Sequence, residues 1–83
     1  MKTIRVSVTK RDIAVGKRGS SYECPIALAC RRLGKRWIIT IDAARNAKSF
    51  KWIANMPDKA QRFIERFDKG RPVRPFTFTL KMP

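Results

Sequence analysis

Two stretches of the chain open on a proline and close on a glycine: "PIALACRRLG", residues 25–34, and "PDKAQRFIERFDKG", residues 57–70. Proline suits the first turn of a helix, where its missing N–H leaves no bond unmade. Glycine accepts the left-handed conformation that commonly ends one. Between those stops the apolar residues recur at helical spacing. Ile26, Ala29, Cys30 and Leu33 fall at i, i+3, i+4 and i+7, and Ala60, Phe63, Ile64 and Phe67 repeat the pattern. Cys24, or a residue just before it, is placed to cap the first helix. Each stretch is thus a short helix with one apolar stripe, which the rest of the chain must cover.

The covering surface is read from alternation. In "TIRVSV", residues 3–8, Ile4, Val6 and Val8 point one way and Thr3, Arg5 and Ser7 the other, as in a half-buried strand. Thr9 and Asp12 have capping-box spacing and predict a short helical turn through Val15, ended by Gly16. "GKRGSSYE" reads as loop. "RWIITI", 36–41, predicts a strand with Trp37, Ile39 and Ile41 inward. "DAARNAK", 42–48, reads as a turn, and "SFKWIA", 49–54, as the returning strand with Phe50 and Trp52 aligned. Both tryptophans fit core positions in this hairpin. After Pro75, "FTFTLK" predicts a last strand with Phe76, Phe78 and Leu80 inward, beginning there or lying at an edge. The order β-α-α-β-β-α-β describes one small α+β domain over residues 1–83. It predicts a mainly antiparallel sheet of about four strands with the two main helices on one face.

Twenty Lys plus Arg against six Asp plus Glu leave a net charge of +14. Such an excess repels itself and attracts polyanions, nucleic acid foremost. The 43% hydrophobic content, with two Trp and five Phe, argues for a folded body rather than a disordered basic tail. No apolar run approaches the roughly 20 residues of a membrane span. "MKTIRVSV" alternates where a signal peptide would be continuously apolar, so the expected location is the cytoplasm.

Catalytic chemistry finds little to work with. There is no His, the usual acid–base group near neutral pH. The six carboxylates are dispersed, with no metal-binding cluster and no nucleophile beside a base, so neither enzyme activity nor a cofactor or metal is expected. Cys24 at a helix N-terminus has the setting that lowers a thiol pKa, yet without a partner base it reads as a capping thiol. On one helix, Cys24 and Cys30 would lie about 9 Å apart, beyond the roughly 7 Å that a disulfide tolerates. Both are expected to be reduced.

The cations are better placed for binding. "CRRLGKRW" sets Arg31, Arg32, Lys35 and Arg36 within six positions. Arg31 and Arg32 also suit a helix C-terminus, where the dipole favours positive charge, but Lys35 and Arg36 lie beyond that end. Lys17 and Arg18 sit in the glycine loop. On the second helix Lys59, Arg62 and Arg66 share one exposed arc with Lys69, partly offset by Asp58–Arg62 and Glu65–Lys69 pairs at i, i+4. Phosphates ask for charge and N–H donors with little geometry, so the expected activity is nonspecific or weakly specific nucleic-acid binding, to DNA or RNA. The segment "GKRG", 16–19, has the GXXG form of a KH-domain loop, although "SSYEC" separates it from the following helix. Its N–H groups, flanked by Lys17 and Arg18, offer a phosphate site.

"CPIALA" (24–29), "RFIERFDKG" (62–70) and "RPFTFTL" (74–80) together resemble a family of short uncharacterised proteins encoded in bacteriophage genomes. The resemblance spans nearly the whole chain. It implies a similar strand, CP[IV]ALA helix, central hairpin, F-I-x-x-F-D-x-G helix and terminal P-F-x-F strand. It also implies a phage origin, expression in the host cytoplasm and reduced cysteines, and it carries no activity with it. The alternative function is a phage inhibitor docking on an acidic or nucleic-acid-facing surface of a host protein, such as a defence or replication enzyme. Leu28, opposite the apolar stripe and between Arg31 and Arg32 on the wheel, would be an exposed contact in that role.

Overall fold

In the computed structural model, which describes residues 2–82, the chain is an α+β fold of five strands and three helices. β1 (Lys2–Val8) leads through Thr9 into α1 (Lys10–Val15), and after a loop comes α2 (Pro25–Arg32). A three-stranded meander follows: β2 (Trp37–Ile39), β3 (Ala43–Asn46) and β4 (Trp52–Asn55). α3 (Asp58–Asp68) and β5 (Phe76–Met82) complete the chain.

The helix stops act as their residue types dictate. Thr9 Oγ1 accepts from Asp12 N and the Asp12 carboxylate accepts from Thr9 N, closing the expected capping box. Cys24 Sγ accepts from Ala27 N at 3.4 Å and so caps α2. Gly34 and Gly70 take φ of 78° and 75°. In each case two N–H groups turn back to the last helical carbonyls: Gly34 to Arg31 and Lys35 to Cys30, Gly70 to Phe67 and Arg71 to Arg66. This pair of hydrogen bonds satisfies carbonyls the helix would otherwise leave open, and a side chain at either glycine would strain the left-handed turn.

β1 and β5 pair antiparallel along their full length, from Lys2↔Met82 to Val8↔Phe76. Val6, Val8, Phe78 and Leu80 are buried on one face of this ribbon, while Thr3, Arg5, Ser7, Thr79 and Lys81 are exposed on the other. α2 packs against β1 and β2 on the buried face. α3 brings Phe63 to 4.8 Å from the Phe76 ring, and Phe67 stacks beside Phe63 at 6.1 Å. Ile26, Cys30, Ala44, Ala54, Ala60 and Leu80 have no exposed surface and form the centre of the core.

The expected single sheet of about four strands is instead two sheets, β1-β5 and β2-β3-β4. The additional strand is β3, which lies inside the segment read as a turn. Alanine favours strands weakly, so "DAARN" carries no local strand signal, but Ala43 and Ala44 are buried and the packing makes the strand. The register also shifts between Ala44 and Arg45: Ala44 pairs with Ala54 and Arg45 with Trp52, which leaves Ile53 without a partner. Such a bulge bends a strand and increases its twist, and β4 lies against β5 without joining its ladder.

Several side chains depart from the expected positions. β2 ends at Ile39, where Thr40 hydrogen-bonds Asp42 in a tight turn, so Ile41 is exposed. Ile38 is buried together with Trp37 and Ile39, because β2 is covered on both faces. Leu33, past the end of α2, is exposed. Leu28 is half-buried rather than exposed.

Candidate nucleic-acid interface

Arg31 and Arg32 are neighbours on α2 with different fates. One residue of helix turns a side chain by about 100°. Arg32 swings toward β1 and α1, where Nη2 donates to Ser7 O and Asp12 Oδ2, each at 2.8 Å, and Nη1 donates to Asp12 Oδ1. Asp12 is 3% exposed. Burial pushes its carboxyl up, but the Arg32 guanidinium and the Thr9 N–H hold it below the ordinary carboxylate range. Arg32 is thus a structural cation. Arg31 turns to the other side, where Nη2 donates to Tyr22 O at 2.8 Å and the side chain stays exposed.

Arg31 joins Lys35 and Arg36 around a cleft of about 400 Å³ lined also by Tyr22 and Trp37. A second cleft of about 620 Å³ shares Lys35, Arg36 and Trp37, and reaches Asn46 and Lys48 at the β3–β4 turn. The two form one basic groove. Among the described residues, no acidic side chain lines either part. The turn of α2 at Gly34 makes the groove, because it throws Lys35 and Arg36 outward just before β2 buries Trp37. Trp37 takes the expected core position. Trp52 does not: it is 43% exposed, on the outward side of the bulge.

Lys59, Arg62 and Arg66 line a second basic surface on α3, around a cleft of about 350 Å³ that includes Arg74 and Phe76. Arg62 and Arg66 also border a smaller one, of about 170 Å³, with Lys69, Arg71 and Glu65. Lys59 Nζ donates to Thr77 O at 3.1 Å and lies 5.8 Å from the Phe76 ring centre. The expected Asp58–Arg62 and Glu65–Lys69 pairs are not formed; the ion pairs among the described residues are Lys17–Glu23 and Arg32–Asp12. Arg71 and Arg74 also belong to this surface, which nothing local in "RPVR" indicates.

The glycine loop is differently disposed. Gly19 N donates to Asp68 Oδ1 at 3.0 Å, Lys17 N to Glu23 O at 2.8 Å and Gly16 N to Asp12 O at 2.8 Å. These donors are engaged within the protein, and a carboxylate holds the place at Gly19 that a phosphate would need. Lys17 pairs with Glu23 at 3.0 Å on the surface. Arg18 lies across Gly70, where an added Cβ would come within 3.1 Å of Nη1, so it extends the α3 surface rather than the groove.

The cysteines are placed as core thiols. Both are free and buried. Burial pushes the Cys24 thiol up, against the lowering that a helix N-terminus favours, and pushes Cys30 up to about 12. No helix among the described residues is long and apolar enough to cross a membrane. No protein-family model matches the chain, and no curated protein or solved structure is significantly similar to it.

Proposed function

We propose that the protein binds nucleic acid through its phosphates, with the groove of Arg31, Lys35, Arg36 and Lys48 as the principal contact. The α3 surface of Lys59, Arg62 and Arg66, extended by Arg18, Arg71 and Arg74, is a second one. A single observation carries this reading: the groove collects cations from α2, the α2–β2 corner and the β3–β4 turn, yet no acidic side chain among the described residues borders it. Like charges brought together without a counter-ion cost the folded state and favour an external polyanion. Lys17 and Arg32, which have carboxylate partners, are not part of the principal contact.

Phosphate contact predicts a salt dependence. If about five phosphates are neutralised, log affinity for duplex falls with log salt at a slope of about −4.5. The double variant Lys35→Gln/Arg36→Gln is expected to weaken binding and flatten that slope by about 2. Affinity that ignores salt, or a slope unchanged in the variant, overturns the reading. Recovery of one stoichiometric host protein after nuclease treatment, with no nucleic-acid binding, favours the inhibitor alternative.

A further inference from the structure

We propose that the tip of the β3–β4 hairpin, residues 45–52, is a platform on which unpaired bases stack. The inference rests on the nucleic-acid reading above and narrows it to single strands.

Phe50 is 60% exposed and sits at φ 59°, in the left-handed region that an aromatic residue rarely adopts. The turn enforces this conformation. Asn46 O accepts from Phe50 N, Asn46 Oδ1 accepts from Lys48 N and Ser49 N, and Asn46 N donates to Lys51 O. Arg45 Nη1 closes the arrangement on Phe50 O at 3.2 Å. An aromatic ring left mostly in water on a strained backbone is a poor use of apolar surface for folding alone. Strain maintained in this way marks a site that meets something else.

Trp52 is presented by a second device. The unpaired Ile53 breaks the alternation of β4, so Ala54 points into the core while Trp52, two residues earlier, faces solvent. Its indole Nε1 donates to Asn55 Oδ1 at 3.0 Å, which pins one edge of the ring. Bulges commonly serve to re-aim a side chain in this way.

Charge selects the occupant. Arg45, Lys48 and Lys51 interleave with the two rings, and there is no acidic residue from Ala43 to Pro57. Lys48 also lines the basic groove, so the tip continues a track of phosphate contacts from Lys35 and Arg36. Cationic grooves combined with exposed aromatic rings are the common design for holding single strands, because every base has a π-face. A duplex hides those faces within its own stack. The buried centres of protein–protein interfaces are depleted in lysine, whereas here Lys51 separates the two aromatic residues in sequence and is itself exposed.

The test uses the full-length protein with fluorescently labelled oligothymidylate, oligouridylate and a duplex of equal length, at one fixed salt concentration. In the unmodified protein, oligothymidylate or oligouridylate should quench the exposed Trp52 emission, and the duplex should not. Phe50→Gly and Trp52→Ala are each expected to cost about tenfold in single-strand affinity and to leave duplex affinity within about twofold. Trp52→Phe should restore most of the loss. Lys35→Gln/Arg36→Gln should weaken all ligands together. Phe50→Gly removes a strained exposed side chain, so it keeps the fold and keeps the test decisive if Trp52→Ala does not. Equal losses on single strand and duplex, or no loss on either, overturn the stacking platform while leaving phosphate binding in place. No binding of any oligonucleotide by the unmodified protein overturns the underlying reading. Ring variants that lose a co-purifying host protein but keep single-strand affinity assign the tip to protein docking and overturn the proposal.

Discussion

At the shoulder where α1 meets α2, positive charge is answered inside the molecule; at the β3–β4 tip it is not. Arg32 reaches a nearly buried carboxylate and a strand carbonyl, and its geometry is fixed by the capping box that orients Asp12. Arg45, Lys48 and Lys51 stand among exposed rings with no carboxylate on their hairpin. The lesson is that net charge says little about any one cation. A cation that closes a buried pair belongs to folding. One that the fold holds away from every acid remains available to a partner.

The comparison breaks most readily at Arg32. Arg32→Ala leaves Asp12 buried without its guanidinium and is expected to cost about 2 kcal/mol of stability, because hydrogen bonds to charged groups are among the stronger ones. For a domain of this size that lowers Tm by roughly 8–16 °C. Lys35→Ala, on the open groove, should change stability by less than about 0.5 kcal/mol. Thermal unfolding followed by circular dichroism compares the two, and equal losses would erase the distinction.

Acid sharpens the same contrast. The Asp12 pKa is lower in the folded protein than its ordinary 3.8, so the stabilisation is fully present above that value. It is lost as pH falls through the folded pKa, because the unfolded chain takes up the proton first. Unfolding measured between neutral pH and strong acid should show stability declining below about pH 4. The decline should be shallower in Arg32→Ala; an unchanged acid limb would mean that the pair does not govern it.

At the tip the sign reverses. Phe50→Gly is expected to raise stability by about 1 kcal/mol, since glycine takes a positive φ without the side-chain strain. A loss instead would show that the ring packs in solution. The smallest effect belongs to the surface pair. Glu23→Gln removes the partner of Lys17, but exposed pairs contribute about 0–1 kcal/mol, so unfolding should barely move. A clear loss there would make the glycine loop a second internal charge site.

The legible parts of this fold are those with causes near in sequence. Thr9 and Asp12 are three residues apart, and Cys24, Pro25 and Gly34 belong to one short helix, so caps and stops follow from local chemistry. β1 and β5 keep strict alternation and were readable as half-buried strands, although nothing in either names its partner. The hairpin was misread for local reasons too. Ala43 and Ala44 lack strand preference, and a phase read inward through Phe50 and Trp52 cannot anticipate that Ile53 drops out of the ladder. Among the binding candidates, Arg31, Lys35 and Arg36 were visible as a run, while Lys48 entered the groove only through the hairpin's return. Asp68 illustrates the limit: on the helix it reads as surface charge, yet it caps Gly19, which lies 49 residues earlier.

The amino-acid order alone determined two capped helices, an amphipathic strand at each end and a charge excess that the chain's own acids cannot match. These rest on interactions within a few residues or on simple counting. Tertiary structure decided which cations are neutralised, how the strands divide between two sheets and which aromatic rings reach solvent. Those outcomes depend on contacts between distant segments, whose energies exist only once the chain has closed on itself.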